Sequence, residues 1–222
     1  KMLENGFNVI GINRKTSKEL NQLLQDYSES FIFIEFDFSK IEKIKKEVFL
    51  PILKKDKQII GFVNNAASAY DDIITNINNA QLTNMFNINV LSPIMLTKYI
   101  IRNMLLYRNA GSIVHISSIS VHTGYKGLAM YASSKGALEA FSKNTAREWG
   151  IKKIRSNCVV AGFMETKMSS SLNVEQKNKI YKRTSLKSKT SIESVAETIL
   201  FLVSEKSKSI TGQNIFVDSG TI

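Results

Sequence analysis

Along this chain, short runs of β-branched and aromatic residues alternate with longer stretches in which apolar residues return every three or four positions. The first pattern predicts strands and the second amphipathic helices. Strands are expected over Asn8–Asn13, Phe31–Phe36, Ile59–Asn64, Gly111–Ser117, Ser156–Val160 and Asn214–Val217. Helices are expected over Ser17–Tyr27, Lys40–Lys55, Asn79–Ile88, Ser92–Tyr107, Ala132–Gly150, Val174–Lys182 and Ile192–Ser204. Several of the strands are apolar throughout, as strands covered on both faces are. Strand and helix in alternation therefore predict an α/β fold built on a single doubly wound parallel sheet. No repeat, linker or shift of composition divides the 222 residues, so one domain spanning 1–222 is expected.

Two segments depart from this rhythm. Pro93–Tyr107, PIMLTKYIIRNMLLY, is apolar around most of its circumference, which requires burial on more than one side. The sheet covers one side; a subunit interface or the interior of the monomer covers the other. Lys167–Ser191 is rich in Ser, Lys and Asn, and reads either as a mobile flap or as an inert surface excursion.

Charge changes this picture little. A net charge of +11 fits an acidic partner such as nucleic acid, an anionic membrane or an acidic carrier protein. Yet 24 of the 30 basic residues are scattered Lys, and only six are Arg, the residue that phosphate and base recognition favours. The accompanying 19 Asn and 27 Ile point to AT-rich codons as the source of the Lys excess. Neither a nucleic-acid partner nor a membrane is expected. No stretch approaches the roughly 18 apolar residues of a membrane span, and the opening KMLENGFNVIG lacks a signal-peptide core. The one cysteine, Cys158 in the apolar run CVVAG, forms no disulfide framework and reads as a buried thiol. A reducing, cytoplasmic location follows, and no metal-ligand set is expected.

The chemistry gathers around Tyr131-Ala-Ser-Ser-Lys135, where i, i+4 spacing stacks a phenol and an ammonium on one helix face. A free Tyr titrates near pH 10, too high for easy proton exchange at neutral pH, and a nearby ammonium favours the phenolate. Such a pair is also an ordinary surface contact, so its company matters. Upstream, Gly111-Ser-Ile-Val-His-Ile-Ser-Ser118 reads as a buried strand ending in hydroxyls at the sheet edge where α/β folds place ligands, and Ser118 is placed to hydrogen-bond a substrate oxygen. In Gly61-Phe-Val-Asn-Asn-Ala-Ala67 a buried strand runs into two amides and two small residues that admit a flat ligand. Asn89, in Asn87-Ile-Asn89-Val-Leu-Ser-Pro93, is placed to anchor a water and, through a backbone kink, relay protons to Lys135. Turn formation and helix capping explain the same amides without chemistry.

In order and spacing, Asn89, Ser118, Tyr131 and Lys135 resemble the catalytic tetrad of the classical short-chain dehydrogenase/reductase family, and Asn64–Ala67 resembles its N-N-A-G motif. The similarity continues through Asn157-Cys-Val-Val-Ala-Gly-Phe-Met-Glu-Thr166, Ile210-Thr-Gly-Gln213 and Val217-Asp-Ser-Gly220, and is greatest to 3-oxoacyl-acyl-carrier-protein reductases. The resemblance implies a Rossmann-like fold and hydride transfer between a nicotinamide and a carbonyl or secondary alcohol. The substrate is then a small molecule, carrier-protein-bound in the reductases of this kind, and a homodimer or homotetramer is implied. Reductases of sugars and other small alcohols share these motifs, and a noncatalytic relative is the reading from another class. By the same resemblance Asn65, Ala66 and Ala67 flank the adenosine side of the cofactor, Gly162, Met164 and Thr166 face the nicotinamide carboxamide and phosphates, and Tyr131 and Lys135 contact it as well. Asp37 and Phe38, in Phe36-Asp-Phe-Ser39, match the adenine contact, although Asp37 serves equally as an N-cap. At Asn13-Arg14-Lys15, Arg14 stands where an acid would hold the ribose of NAD, so NADP(H) is preferred over NAD(H).

The family opens with a strand and a glycine-rich turn whose amides hold the pyrophosphate. This chain opens on Lys1-Met-Leu-Glu-Asn-Gly6, which reads as the last turn and C-cap of a first helix. The missing strand, turn and two helical turns amount to about 20 residues. An N-terminally incomplete chain is thus expected, with a gap in the ladder where a central strand belongs. Ala67, Ala161 and Ser219 replace a Gly, a Pro and a Gly of the family pattern. Ala67 crowds the cofactor if its position needs positive φ.

Overall fold

A computed structural model describes residues 1–54, 56–166 and 173–222. Six strands form, β1 (Val9–Asn13), β2 (Phe31–Glu35), β3 (Gly61–Asn64), β4 (Gly111–Ser118), β5 (Ile154–Ala161) and β6 (Asn214–Val217), each within about two residues of its predicted limits. Every pairing is parallel, Val9 opposite Phe31 in one ladder and His115 opposite Cys158 in another. Helices cover both faces: α1 (Lys18–Asp26), α2 (Leu50–Lys54), α3 (Asn79–Phe86), α4 (Ser92–Leu106), α5 (Ala129–Trp149), α6 (Val174–Arg183) and α7 (Ile192–Val203). The α/β architecture expected from the sequence is therefore present.

The sheet is in two parts, β1-β2 and β3-β4-β5-β6. Between them lies a slot of about 520 Å³, lined by Ile10 and Ile12 of β1, Phe62 and Val63 of β3, and Phe49 and Tyr99 from the helices beneath. The interruption falls where the sequence predicts a gap. Gly6 forms the left-handed cap expected of it (φ 78°), closing a single 3-10 turn, Leu3–Asn5.

Alternation along β4 shows how both faces are covered. Ile113, wholly buried, belongs to an apolar cluster with Ile44, Val48, Leu96, Ile100 and Met104; its neighbour Val114 belongs to a second, with Val159, Val195 and Leu202. Each such side chain stabilises the fold by roughly 1.5–3 kcal/mol on burial. Helix α5 is fastened to β5 by the Ser142–Ser156 hydroxyl pair at 2.8 Å. Burial pushes the Cys158 thiol up to about 12, so this thiol is packing, not nucleophile.

The segment that asked for burial on two sides receives most of it within the monomer. Nine residues of α4 are buried, Asn103 among them, whose amide accepts from Ile59 N–H at 2.8 Å and donates to the Lys57 carbonyl at 3.0 Å. Leu91, 45% exposed, and Leu106, 65%, remain outward. The predicted helix Lys40–Lys55 is instead a 3-10 turn, a π-helical stretch (Ile44–Phe49) and α2, its last residue lying outside the described residues. A second π-helical turn, Asn87–Leu91, stands between α3 and α4. Each π stretch ends two residues before a proline, Pro51 or Pro93. A proline offers no N–H and its ring strikes the carbonyl four residues back, so the ladder widens there. Of the polar segment Lys167–Ser191, residues 167–172 lie outside the described residues, and the remainder contains α6 under an Asn173/Gln176 capping box.

Ala67 is not among the residues with positive φ, which removes the crowding argument at that position, whereas Ser219 does adopt φ 58°. A left-handed serine costs more than a glycine there. Ser219→Gly is expected to raise stability by about 0.5–1 kcal/mol, read as a higher urea midpoint at unchanged slope.

Candidate active site

Parallel strands present their C-terminal ends on one side, and a cavity of about 710 Å³ opens at the ends of β3, β4 and β5. Its lining includes Asn65, Ala67, Ser118, Tyr131, Lys135, Gly162, Met164 and Thr166, eight residues that the sequence singled out. Ala66 and Phe38 line the adjoining slot, which shares Asn65 with the cavity. Arg14 is exposed just beyond β1 and lies near enough to Asp37 for its charge to act on that carboxylate. The candidate residues thus fall in two neighbouring groups, one beside the end of β1 and β2 and one around Tyr131.

Tyr131 stands in the first turn of α5, and Lys135 one turn on reaches beneath β4, where Nζ donates to the Ile116 carbonyl at 2.8 Å. Lys135 is 2% exposed, and this burial lowers its ammonium to about 8. Nζ sits 5.8 Å from the centroid of the Tyr131 ring. The phenol itself is pushed up to about 12, first by burial and then by the negative charge of Asp71, against which the hydrogen bond with Ser118 pulls down. The sequence reading had Lys135 lowering this phenol. In the resting site desolvation and Asp71 prevail, because the ammonium is committed to the strand carbonyl below.

Ser118 also accepts from Ser120 N–H at 3.2 Å and from the Ser120 hydroxyl at 3.0 Å, which fixes the end of β4. Asn89 is wholly buried, and its amide is occupied: Oδ1 accepts from Ser68 N–H at 2.7 Å, while Nδ2 donates to the Ser68 carbonyl at 2.8 Å and to Ser134 Oγ at 3.0 Å. The side chain that was to anchor a water instead ties the loop after β3 to α5. Ser134 Oγ in turn donates to the Tyr131 carbonyl at 2.7 Å. The backbone kink does exist, since Asn89 lies within the π-helical turn.

Asp37 accepts from Ser39 N–H at 3.0 Å, and this bond is the first cause that holds its carboxyl below the usual range. Asp37 thus closes a local turn and is not the N-cap that the sequence offered as its alternative, since the 3-10 turn that follows begins after Lys40 with no side-chain cap. At Gly162 a Cβ would come within 2.2 Å of Thr190 Oγ1 and 2.6 Å of Asp218 Cα. Close approach is required there, but by the protein's own packing beside the cavity.

Sequence reasoning placed the substrate residues in segments such as Val121–Met130 and Lys167–Ser191 without naming any of them, and it missed Asp71 altogether. Asp71, Tyr125, Lys126, Leu128, Phe163 and Ile180 also line the cavity. Asp72 N–H donates to the Gly127 carbonyl at 3.0 Å and thereby draws two walls together. Behind Ser118, the buried carboxylate of Glu139 accepts from the Ser117 hydroxyl, from Asn214 Nδ2 at 2.6 Å, and meets His122 Nε2 at 3.1 Å.

Burial of Lys135 has a measurable consequence. Its folded-state pKa is depressed from 10.5 to about 8. Between those values the unfolded chain binds more protons, so this residue makes stability rise with pH. The stability of the wild type relative to Lys135→Met is expected to increase from pH 8 to pH 10.5 in urea unfolding; a flat difference would contradict the burial.

Comparison with known proteins gives a consistent result. The chain matches the family described as Enoyl-(Acyl carrier protein) reductase over residues 1–221. It is 33% identical to the 3-oxoacyl-[acyl-carrier-protein] reductase FabG of Buchnera aphidicola subsp. Schizaphis graminum over 99% of this chain and 89% of the relative. It is 34% identical to the same-named reductase of Chlamydia trachomatis over 98% and 88%. Among solved structures, a gluconate 5-dehydrogenase from Burkholderia cenocepacia in complex with NADP and tartrate superposes with TM-score 0.91 at 21% identity, covering 98% of this chain and 86% of that one.

Proposed function

Since the chain belongs to the classical short-chain dehydrogenase/reductase family, oxidoreductases that act on CH–OH and C=O groups with NAD(P), we propose that it is an NADP(H)-dependent carbonyl reductase of the 3-oxoacyl-carrier-protein type. The observation that carries this reading is the meeting of Tyr131, Ser118 and Lys135 in one cavity, with the Lys135 ammonium 5.8 Å from the phenol ring and held from beneath by the Ile116 carbonyl. A nicotinamide bound there supplies hydride to the carbonyl carbon.

The residues around the cavity fit that cofactor's ribose and nicotinamide end. Gly162, Met164 and Thr166 line that end, while Asn65, shared with the adjoining slot, and Ala67 would flank the adenosine side. Ala66, Phe38, Asp37 and Arg14 would hold the adenosine end beside the slot.

Tyr131 donates its proton to the substrate oxygen as negative charge develops on it, and a pKa of about 12 keeps the phenol protonated for that task at neutral pH. Ser118 orients the oxygen through its hydroxyl. Lys135, still charged below about pH 8, stabilises the phenolate left behind and would fix the ribose. We assign the relay water to the backbone of Asn89. Pro93, four residues on, has no N–H to give its carbonyl, and the side chain of Asn89 holds the turn in place. Among the described residues, no helix is long and apolar enough to cross a membrane. With the buried single thiol this agrees with a cytoplasmic enzyme. The net charge of +11 suits an acidic carrier protein, and the exposed Leu91, Leu106 and Phe216 suit a homodimer or homotetramer.

Carbonyl-dependent NADPH oxidation tests the reading. Tyr131→Phe is expected to lower kcat by about 10²–10⁴-fold; near-normal turnover would refute the assignment. For the cofactor, Arg14→Asp should reverse the preference, raising KM for NADPH on the order of tenfold or more while NADH improves. An unchanged ratio of kcat/KM for the two cofactors would place the phosphate elsewhere.

A further inference from the structure

The cavity wall carries one carboxylate whose part in the proton transfer is confined to its field at Tyr131. Asp71 faces the same space as Tyr131 and Ser118, and among the described residues no donor is bonded to it and no cation is paired with it. Its neighbour Asp72 is engaged elsewhere, accepting from Ile73 N–H at 2.8 Å and from Asn76 Nδ2 at 3.4 Å. The Asp72–Gly127 backbone bond holds this stretch against the opposite wall, so Asp71 keeps its place beside Tyr125, Lys126 and Leu128. Asp71 is open to the cavity, yet enough protein surrounds it that burial lifts its carboxyl above the ordinary value. Its charge is felt at Tyr131. Beyond Asp71 the wall is largely apolar, with Leu128, Phe163, Met164 and Ile180.

We propose that Asp71 is a specificity-determining residue, accepting a hydrogen bond from the N–H of a neutral β-oxo amide, admitting the neutral ester or thioester, and repelling the corresponding free β-oxo acid. The inference rests on the carbonyl-reductase reading and names the charge class of its substrate. A substrate carboxylate next to the reacting carbonyl would meet the carboxylate of Asp71 in a partly desolvated space, where like charges discriminate on the order of tenfold or more. Lys126 lines the same cavity and is solvent-exposed as Asp71 is, but it is the charge of Asp71 that reaches Tyr131, where the carbonyl reacts. Selection against the acid therefore follows from Asp71, with Lys126 a weak opposing influence.

Acetoacetamide, methyl acetoacetate and acetoacetate form a matched set: neutral with an N–H, neutral without one, and anionic. The wild type is expected to reduce them with kcat/KM falling in that order. Asp71→Asn should raise the ratio of kcat/KM for acetoacetate to that for methyl acetoacetate on the order of tenfold, whatever its effect on Tyr131 does to both. Asp71→Ala should relieve acetoacetate equally while costing acetoacetamide its acceptor. Lys126→Ala should leave the acid-to-ester ratio within about twofold. Calorimetric binding of the same three compounds in a Tyr131→Phe background, with and without D71N, separates selection from chemistry. Binding that follows the charge pattern without turnover by the wild type would end the reductase reading and leave the role of Asp71 standing. Turnover with an acid-to-ester ratio unmoved by D71N, or moved only by K126A, would overturn the role of Asp71. Failure of all three compounds both to bind and to react would overturn both.

Discussion

A lysine ammonium lies under the central strand of the four-stranded sheet, and the site is arranged around keeping it there. Lys135 has given up water for the Ile116 carbonyl, and burial is the first reason its pKa falls to about 8. An isolated buried charge would be far costlier than the packing around it could offset, so strand, helix and charge are mutually dependent. The i, i+4 geometry of α5 then places Tyr131 above it, and the ties from Ser134 and Asn89 set where the loop after β3 can pass. Glu139 continues the same arrangement one turn further along the helix, drawing Ser117, His122 and Asn214 together behind the reacting hydroxyl.

The interrupted sheet divides the molecule by task. The ends of β3, β4 and β5 hold the proton-transfer residues, while Arg14, Asp37 and Phe38 ride on β1 and β2. With no ladder joining β1 to β3, the two parts are coupled through side chains. Phe36 packs with Ile44, Val48 and Tyr99, and the Ser92 hydroxyl donates to the Phe38 carbonyl. Helix α4 is thus the bridge, which explains why so much of its circumference is apolar.

What could be read from the sequence was whatever is local. Strand runs, the Tyr131–Lys135 spacing and the hydroxyls closing β4 are each contained in one element, and a one-residue slip would have shown as a broken pattern. Helix α5 starts at Ala129, earlier than its pattern suggests, because Leu128 supplies no side-chain cap to mark the entry. The widened helical turns were implied by Pro51 and Pro93, but a proline signals a change of ladder without saying which kind. Asp71 and Glu139 were invisible for another reason. Each looks like a solvated acid in its own segment, and its meaning comes from partners brought in by other loops and strands.

The raised pKa of Tyr131 is consistent with acid catalysis once resting and reacting states are distinguished. At rest, burial and the nearby Asp71 both favour the neutral phenol, so the proton is in place when a carbonyl arrives. Donation leaves a phenolate in the same buried position, and only then does the ammonium 5.8 Å from the ring find a charge to stabilise, together with the Ser118 hydroxyl. An interaction that is weak in the ground state and strong in the transition state lowers a barrier, whereas one equally strong in both does not. The position of Lys135, bonded below to a strand carbonyl rather than directly to the phenol, is the arrangement that difference requires.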